Sequence, residues 1–74
     1  MKIVVGHVSI TPKELEIIYG LAEGKTSTEI ATELGNANGT IKGHIKVIRR
    51  KLQAKNTAHL IAIAYHEGLL KARR

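Results

Sequence analysis

Apolar residues recur along the chain in four blocks at helical spacing, each fenced by capping residues and glycine. The first block opens at Thr11-Pro12-Lys13-Glu14. Thr11 suits the cap, Pro12 the first helical position, and Glu14 the third position of a capping box. Ile10 and Leu15 are spaced for a hydrophobic staple across that cap. The predicted helix continues through Ile18, Leu21 and Ala22 and stops near Gly24. Gly20 inside it is unfavourable unless a neighbouring helix packs closely there. Thr26-Ser27-Thr28-Glu29 repeats the capping-box spacing, Ile30, Ala31 and Leu34 supply one apolar face, and Gly35 ends this short second helix.

A polar turn at 36–38 leads to a third helix, expected from about Asn38 to Leu52. At about 100° per residue its Ile41, Ile45, Ile48 and Leu52 form a core stripe. Lys42, Lys46, Arg49 and Arg50 form a second stripe roughly a quarter turn away, with Gly39 and Gly43 beside them. Small residues there either let the helix approach a groove closely or reflect loose helix propensity. A fourth helix is expected from Asn56 or Thr57 to His66 or Glu67, stopped by Gly68. Leu60 to Tyr65 is apolar all round the axis, so both faces must be buried. A domain this small covers one face, which leaves the other for a partner, most simply a second copy. Residues 1–10 are β-prone and read as an extended arm or short strand, which needs a pairing partner. The organisation predicted is thus an arm (1–10), an all-α four-helix bundle containing a helix-turn-helix (11–70) and a basic tail (71–74) carrying Arg73 and Arg74.

Composition narrows the chemistry. The 74 residues contain no Cys, no Asp, six Glu and four His. Disulfides and thiolate sites are excluded, and paired-carboxylate chemistry has almost no material. No nucleophile sits beside a base and no glycine loop cradles phosphate, so no enzyme and no cofactor are expected. His7, His44, His59 and His66 lack the carboxylate or thiolate companions of a metal site, and no metal is expected. His59 and His66, seven apart on one face, instead suit a pH-sensitive dimer contact with Leu60 and Ile63. The longest apolar run is far short of the ~18 residues of a membrane span. No signal peptide is evident, so a cytoplasmic, nucleoid-associated protein with no small-molecule ligand is the expectation.

Charge points to a partner. Twelve Lys and Arg against six Glu give +6, and the excess is concentrated: six cations and no anion lie between Lys42 and Lys55. An ordinary solvated helix face would intersperse Glu. With two Tyr as the only aromatics, the base-stacking platforms of single-strand binders are missing, which favours double-stranded DNA. A short helix, a tight turn and a longer basic helix make a helix-turn-helix, whose second helix enters the major groove. Lys42 and Lys46 then reach base edges. Arg49, Arg50 and Lys51 meet phosphates, as do the amides at the helix starts near Thr26 and Asn38.

The segments TPKELEII, LAEGKTSTEIATELG and GTIKGHIKVIRRKL, with the tail Ala62 to Leu70, together resemble the LuxR/GerE family of bacterial DNA-binding domains. The resemblance covers about residues 10–70 and matches four segments in order and spacing. It implies a four-helix bundle with the third helix as reader and the fourth as dimer contact, in a transcription regulator that binds inverted repeats as a homodimer. Thr40, Ile41, Lys42, His44 and Lys46 match the family's reader motif. Lys42 and Lys46 stand at base-contacting positions, as does Gly43, which lacks the side chain usual there. The resemblance places Thr40 and His44 among the phosphate contacts. Asn36 and Ala37 stand where an aliphatic residue and a Ser or Thr cap are usual. The third helix is therefore expected to start a residue late, capped by Asn36 or Asn38. Gln53 replaces a common Gly at that helix's end. Relatives usually carry a sensor domain, and with only an arm before residue 10 the chain looks like a free-standing member, controlled by its own concentration or by a regulatory protein partner.

Two alternatives stay open. One is a protein-interaction module that docks on another regulator through the apolar fourth helix. The other is the similar helix-turn-helix of sigma-factor region 4, normally part of a longer chain. The stripe of Lys42, Lys46, Arg49 and Arg50 discriminates, because DNA binding needs it and a docking module does not.

Overall fold

The structure, a computed structural model, describes residues 3–5 and 8–70. Two short strands, β1 (Ile3–Val5) and β2 (Val8–Ile10), precede four helices: α1 (Pro12–Ala22), α2 (Ser27–Leu34), α3 (Asn38–Lys51) and α4 (Thr57–His66). The all-α, four-helix expectation holds. The β-prone start finds its pairing partner within the chain, because β1 and β2 run antiparallel with Ile3 opposite Ile10. Ile10 is fully buried in the core, so the end of the expected arm belongs to the folded domain. His7 and the tail residues 71–74 lie outside the described residues.

Local chemistry sets the helix ends. Both capping boxes form: Thr11 Oγ1 accepts from the Glu14 amide at 3.1 Å and Glu14 accepts from the Thr11 amide at 2.9 Å. Thr26 and Glu29 repeat this at 3.2 and 2.8 Å. Asn56 caps α4 by accepting from the His59 amide at 2.8 Å. α3 departs from expectation. It begins at Asn38 behind Ala37, with no side-chain cap, so neither Asn36 nor Asn38 caps it. The Asn38 side-chain oxygen instead accepts from the Ser27 hydroxyl at 2.8 Å, and the Asn36 oxygen is buried without a partner among the described residues.

At their C-termini all four helices turn back through a left-handed residue that lets the following amide reach a carbonyl of the last turn. Three use glycine, with φ of 83° at Gly24, 69° at Gly35 and 79° at Gly68. α3 uses Gln53, with φ of 55°. After α4 this turn carries Leu69 and Leu70 into the core, with the Leu69 amide on the Ala64 carbonyl at 2.8 Å.

The core is aliphatic. Ile10, Ile17, Ile18, Ile30, Ile41, Ile48 and Leu60 are its largest fully buried side chains. The predicted stripe of α3 is confirmed, with Ile41, Ile48 and Leu52 buried and Ile45 packed against them. Gly20 has the packing reason anticipated for it: a Cβ there would lie 2.8 Å from the Ile30 side chain. α1 and α2 can approach so closely only without one.

Candidate nucleic-acid interface

α2, the turn at 35–37 and α3 form the helix-turn-helix. The Ser27–Asn38 hydrogen bond joins the starts of its two helices. With Ile41 and Ile48 anchored in the core, the opposite face of α3 is presented to solvent. Gly39, Thr40, Lys42, Gly43, Lys46, Val47 and Arg50 are all exposed there, and His44 is half-buried at the edge. A methyl group at Gly39 or Gly43 would meet no atom within 4 Å, so packing inside the chain does not require either glycine.

The cations divide into two sets. Lys42, Lys46 and Arg50 have no ion-pair or hydrogen-bond partner among the described residues. The side chains of Lys13 and Lys55 have none either, whereas Lys25, Arg49 and Lys51 are engaged. Lys25 pairs with Glu33 at 2.8 Å and Glu23 at 3.2 Å, and its hydrogen bond to Glu33, then that to Glu23, raises its pKa. Arg49 is half-buried and donates to the Lys55 carbonyl at 3.1 Å, bracing the turn into α4. Its Nε is buried and unpartnered. Lys46, Arg49, Arg50 and Ala54 line a shallow groove of about 280 Å³.

Lys51 is drawn to the other side of α3. Its Nζ lies 2.8 Å from both carboxylate oxygens of Glu14 and 3.0 Å from the Ser9 carbonyl. Burial alone would push the Glu14 carboxyl up, but the hydrogen bonds from Lys51 and the Thr11 amide and the Lys51 charge outweigh it and hold that carboxyl below its ordinary value. Lys51 is therefore a strut between α3 and α1, and its charge is already spent within the domain. Sequence reading placed it with the phosphate contacts because its partner lies 37 residues away.

The two helix starts also differ. The Thr26 amide is taken by Glu29, whose carboxylate adds negative charge there. Thr26 is thus occupied as a cap. At the start of α3 no side chain covers the first-turn amides of Asn38, Gly39 and Thr40, so their partial positive charge stays open to an anion.

On α4, Leu60 is fully buried, which removes it from the expected dimer contact; it is a core residue. Ile63 is half-buried against the core, His66 is exposed, and half-buried His59 accepts the Lys55 amide at Nδ1 at 3.0 Å. The open face of α4 is instead Ala58, Ala62 and Tyr65, with Tyr65 46% exposed. Sequence reading missed these because a helix apolar on all sides gives no phase; their spacing of i, i+4, i+7 was the available signal. Among the described residues no three His or Glu gather as a metal site, and no helix is long and apolar enough to cross a membrane.

Comparison with known proteins gives the same assignment. The profile of the luxR family of bacterial regulatory proteins (GerE) matches residues 8–64. The transcriptional regulatory protein DesR of Bacillus subtilis is 36% identical over 62 residues, covering 84% of this chain and 31% of DesR. The quorum sensing-dependent transcriptional regulator RpaR of Rhodopseudomonas palustris is 39% identical over 62 residues, covering 84% of this chain and 26% of RpaR. Among solved structures, the phage VqmA–DPO complex superposes with a TM-score of 0.75 at 35% identity, over 81% of this chain and 28% of that one. The chain thus spans about three tenths of the length of the curated relatives it matches. Fold, exposed basic helix and sequence together place this chain in the LuxR family of bacterial regulatory proteins, with the helix-turn-helix DNA-binding domain of that family.

Proposed function

We propose that the chain binds inverted-repeat duplex DNA as a homodimer, with α3 in the major groove. The observation that carries this reading is the set of exposed, unpartnered cations on α3, Lys42, Lys46 and Arg50, opposite the face that anchors it. Lys42 and Lys46, one turn apart, read base edges, where lysine finds guanine O6 and N7. Gly43 between them brings backbone rather than side chain to the groove. Arg50 and Arg49 hold a phosphate at the groove they share with Lys46. The open amides of Asn38 and Thr40 receive another. The Thr40 hydroxyl and His44 flank that contact, and Thr26 contributes through its hydroxyl proton, its amide being taken. The dimer closes through Ala58, Ala62 and Tyr65 of α4, with Ile63, His59 and His66 at the rim. Its two-fold symmetry is matched by the inverted repeat. Residency in the cytoplasm on the nucleoid follows from that activity.

Selection from a random duplex pool at two salt concentrations tests the reading. Enrichment of an inverted repeat with half-sites about one helical turn apart supports it. Salt-sensitive binding without an enriched sequence means backbone contact alone. Absence of binding at both salts overturns it in favour of docking on another regulator through the α4 face.

A further inference from the structure

Three large apolar side chains are exposed among the described residues: Val4, Val47 and Tyr65. Val4 lies on the hairpin and Tyr65 on the open face of α4. Val47 lies on the basic helix, 41% exposed and outside the core cluster. Neither helix propensity nor packing accounts for it. A β-branched side chain loses rotamer freedom in a helix, and here it takes no part in the core that would compensate. Its neighbours on that face are Lys46 and Arg50, and one turn before it stands Gly43, which has no side chain to shield it.

We infer that Val47 reads the C5-methyl group of a thymine in the major groove. This rests on the proposal that α3 enters that groove. The occupant follows from the surroundings. An apolar protein surface seated on Val47 would strip water from Lys46 and Arg50 and offer their charges nothing in return. Duplex DNA satisfies both demands. Its phosphates flank the groove and meet the cations, and on the groove floor the thymine methyl is the apolar feature of the base edges. The stiff χ1 of valine holds its two methyl groups in place before contact. With no side chain at Gly43, the helix can sit deep enough for a side chain as short as valine to reach a base. The vacancy at position 43 and the apolar residue at position 47 are then two parts of one device.

The test uses the duplex enriched from the random pool, with each dT replaced in turn by deoxyuridine, which lacks the methyl. At one thymine per half-site the native protein should lose about fourfold in affinity, the factor that burying one methyl-sized group corresponds to. Val47→Ala should lose a similar factor on the unmodified duplex and be indifferent to deoxyuridine at that position. Lys46→Ala, although weaker, should still sense the methyl. Specific binding indifferent to deoxyuridine at every position would overturn this inference and leave the DNA-reading proposal standing. So would a Val47→Ala protein as sensitive as the native one. A pool with no enriched sequence would overturn both.

Discussion

Gln53 closes α3 with a φ of 55°, where Gly24, Gly35 and Gly68 do the same for the other helices. A side chain in that region costs about 1 kcal/mol. Gln53→Gly should therefore raise stability, by up to about 0.5 kcal/mol once the greater freedom of glycine in the unfolded chain is allowed for. Urea unfolding measures it, and a lower midpoint would show that the Gln53 side chain makes a contact worth more than the strain. Asn36 carries a different cost, a buried oxygen with no partner. Asn36→Leu should stabilise by about 1 kcal/mol by removing an unsatisfied acceptor, checked by the same unfolding. The reading residues behave differently because they are exposed. Lys42→Ala and Lys46→Ala should each cost about 1–3 kcal/mol on the preferred site and flatten its sequence preference. Arg50→Ala should weaken all sequences alike and lower the salt slope by about one. Equal loss of preference in all three would sink that division of labour.

Between elements the strongest polar contact is Lys51 of α3 on Glu14 of α1. Glu14 also closes the capping box of its own helix. Because its carboxyl is held below the ordinary 4.5, the stabilisation it brings is fully present above that value and is lost as the pH falls through its lowered folded value. Stability to urea should accordingly decline on acidification below about pH 4.5. Glu14→Gln should flatten that decline while costing about 1–2 kcal/mol at neutral pH, less than a fully buried pair because Lys51 is partly solvated. An unchanged acid profile in Glu14→Gln would move the effect to another carboxylate. The same contact marks where sequence reading stops. Capping boxes, glycine stops and the core stripe of α3 were legible because each is encoded within one or two turns. Thr11 finds Glu14, and Ile41 finds Ile48, at fixed local spacing. The fate of Lys51 depends on a residue 37 positions away, and a run of cations looks the same whether one of them is bridged or not. The pairing of β1 with β2 was hidden for a related reason, since a three-residue strand carries almost no pattern of its own. On α4 the uniform apolar run concealed which side faced in, so Leu60 was taken for the surface and Ala62 was overlooked.

At the scale of the molecule, acidic residues concentrate on α1 and α2 and the exposed cations Lys42, Lys46 and Arg50 on α3, so the two signs of charge are carried on different helices. The proposed dimer adds a third surface. Ala62→Glu places a charge at the centre of the open α4 face without touching the core. It should convert a dimer to a monomer by light scattering, keep the helical circular dichroism, and weaken binding to an inverted repeat far more than to a single half-site. Unchanged mass would move the contact to another surface. Along α3, finally, anchors and readers are neighbours in the chain and opposites in space. Ile41 is buried beside exposed Lys42, Ile45 packs inward beside Lys46, and exposed Val47 precedes buried Ile48. Positions 42, 43, 46 and 47 can be exchanged without disturbing any side chain that holds the helix in place. A library randomised at those four should keep its melting temperature near that of the parent while its members drift apart in target. Such a domain can change what it recognises many times over while remaining the same folded object.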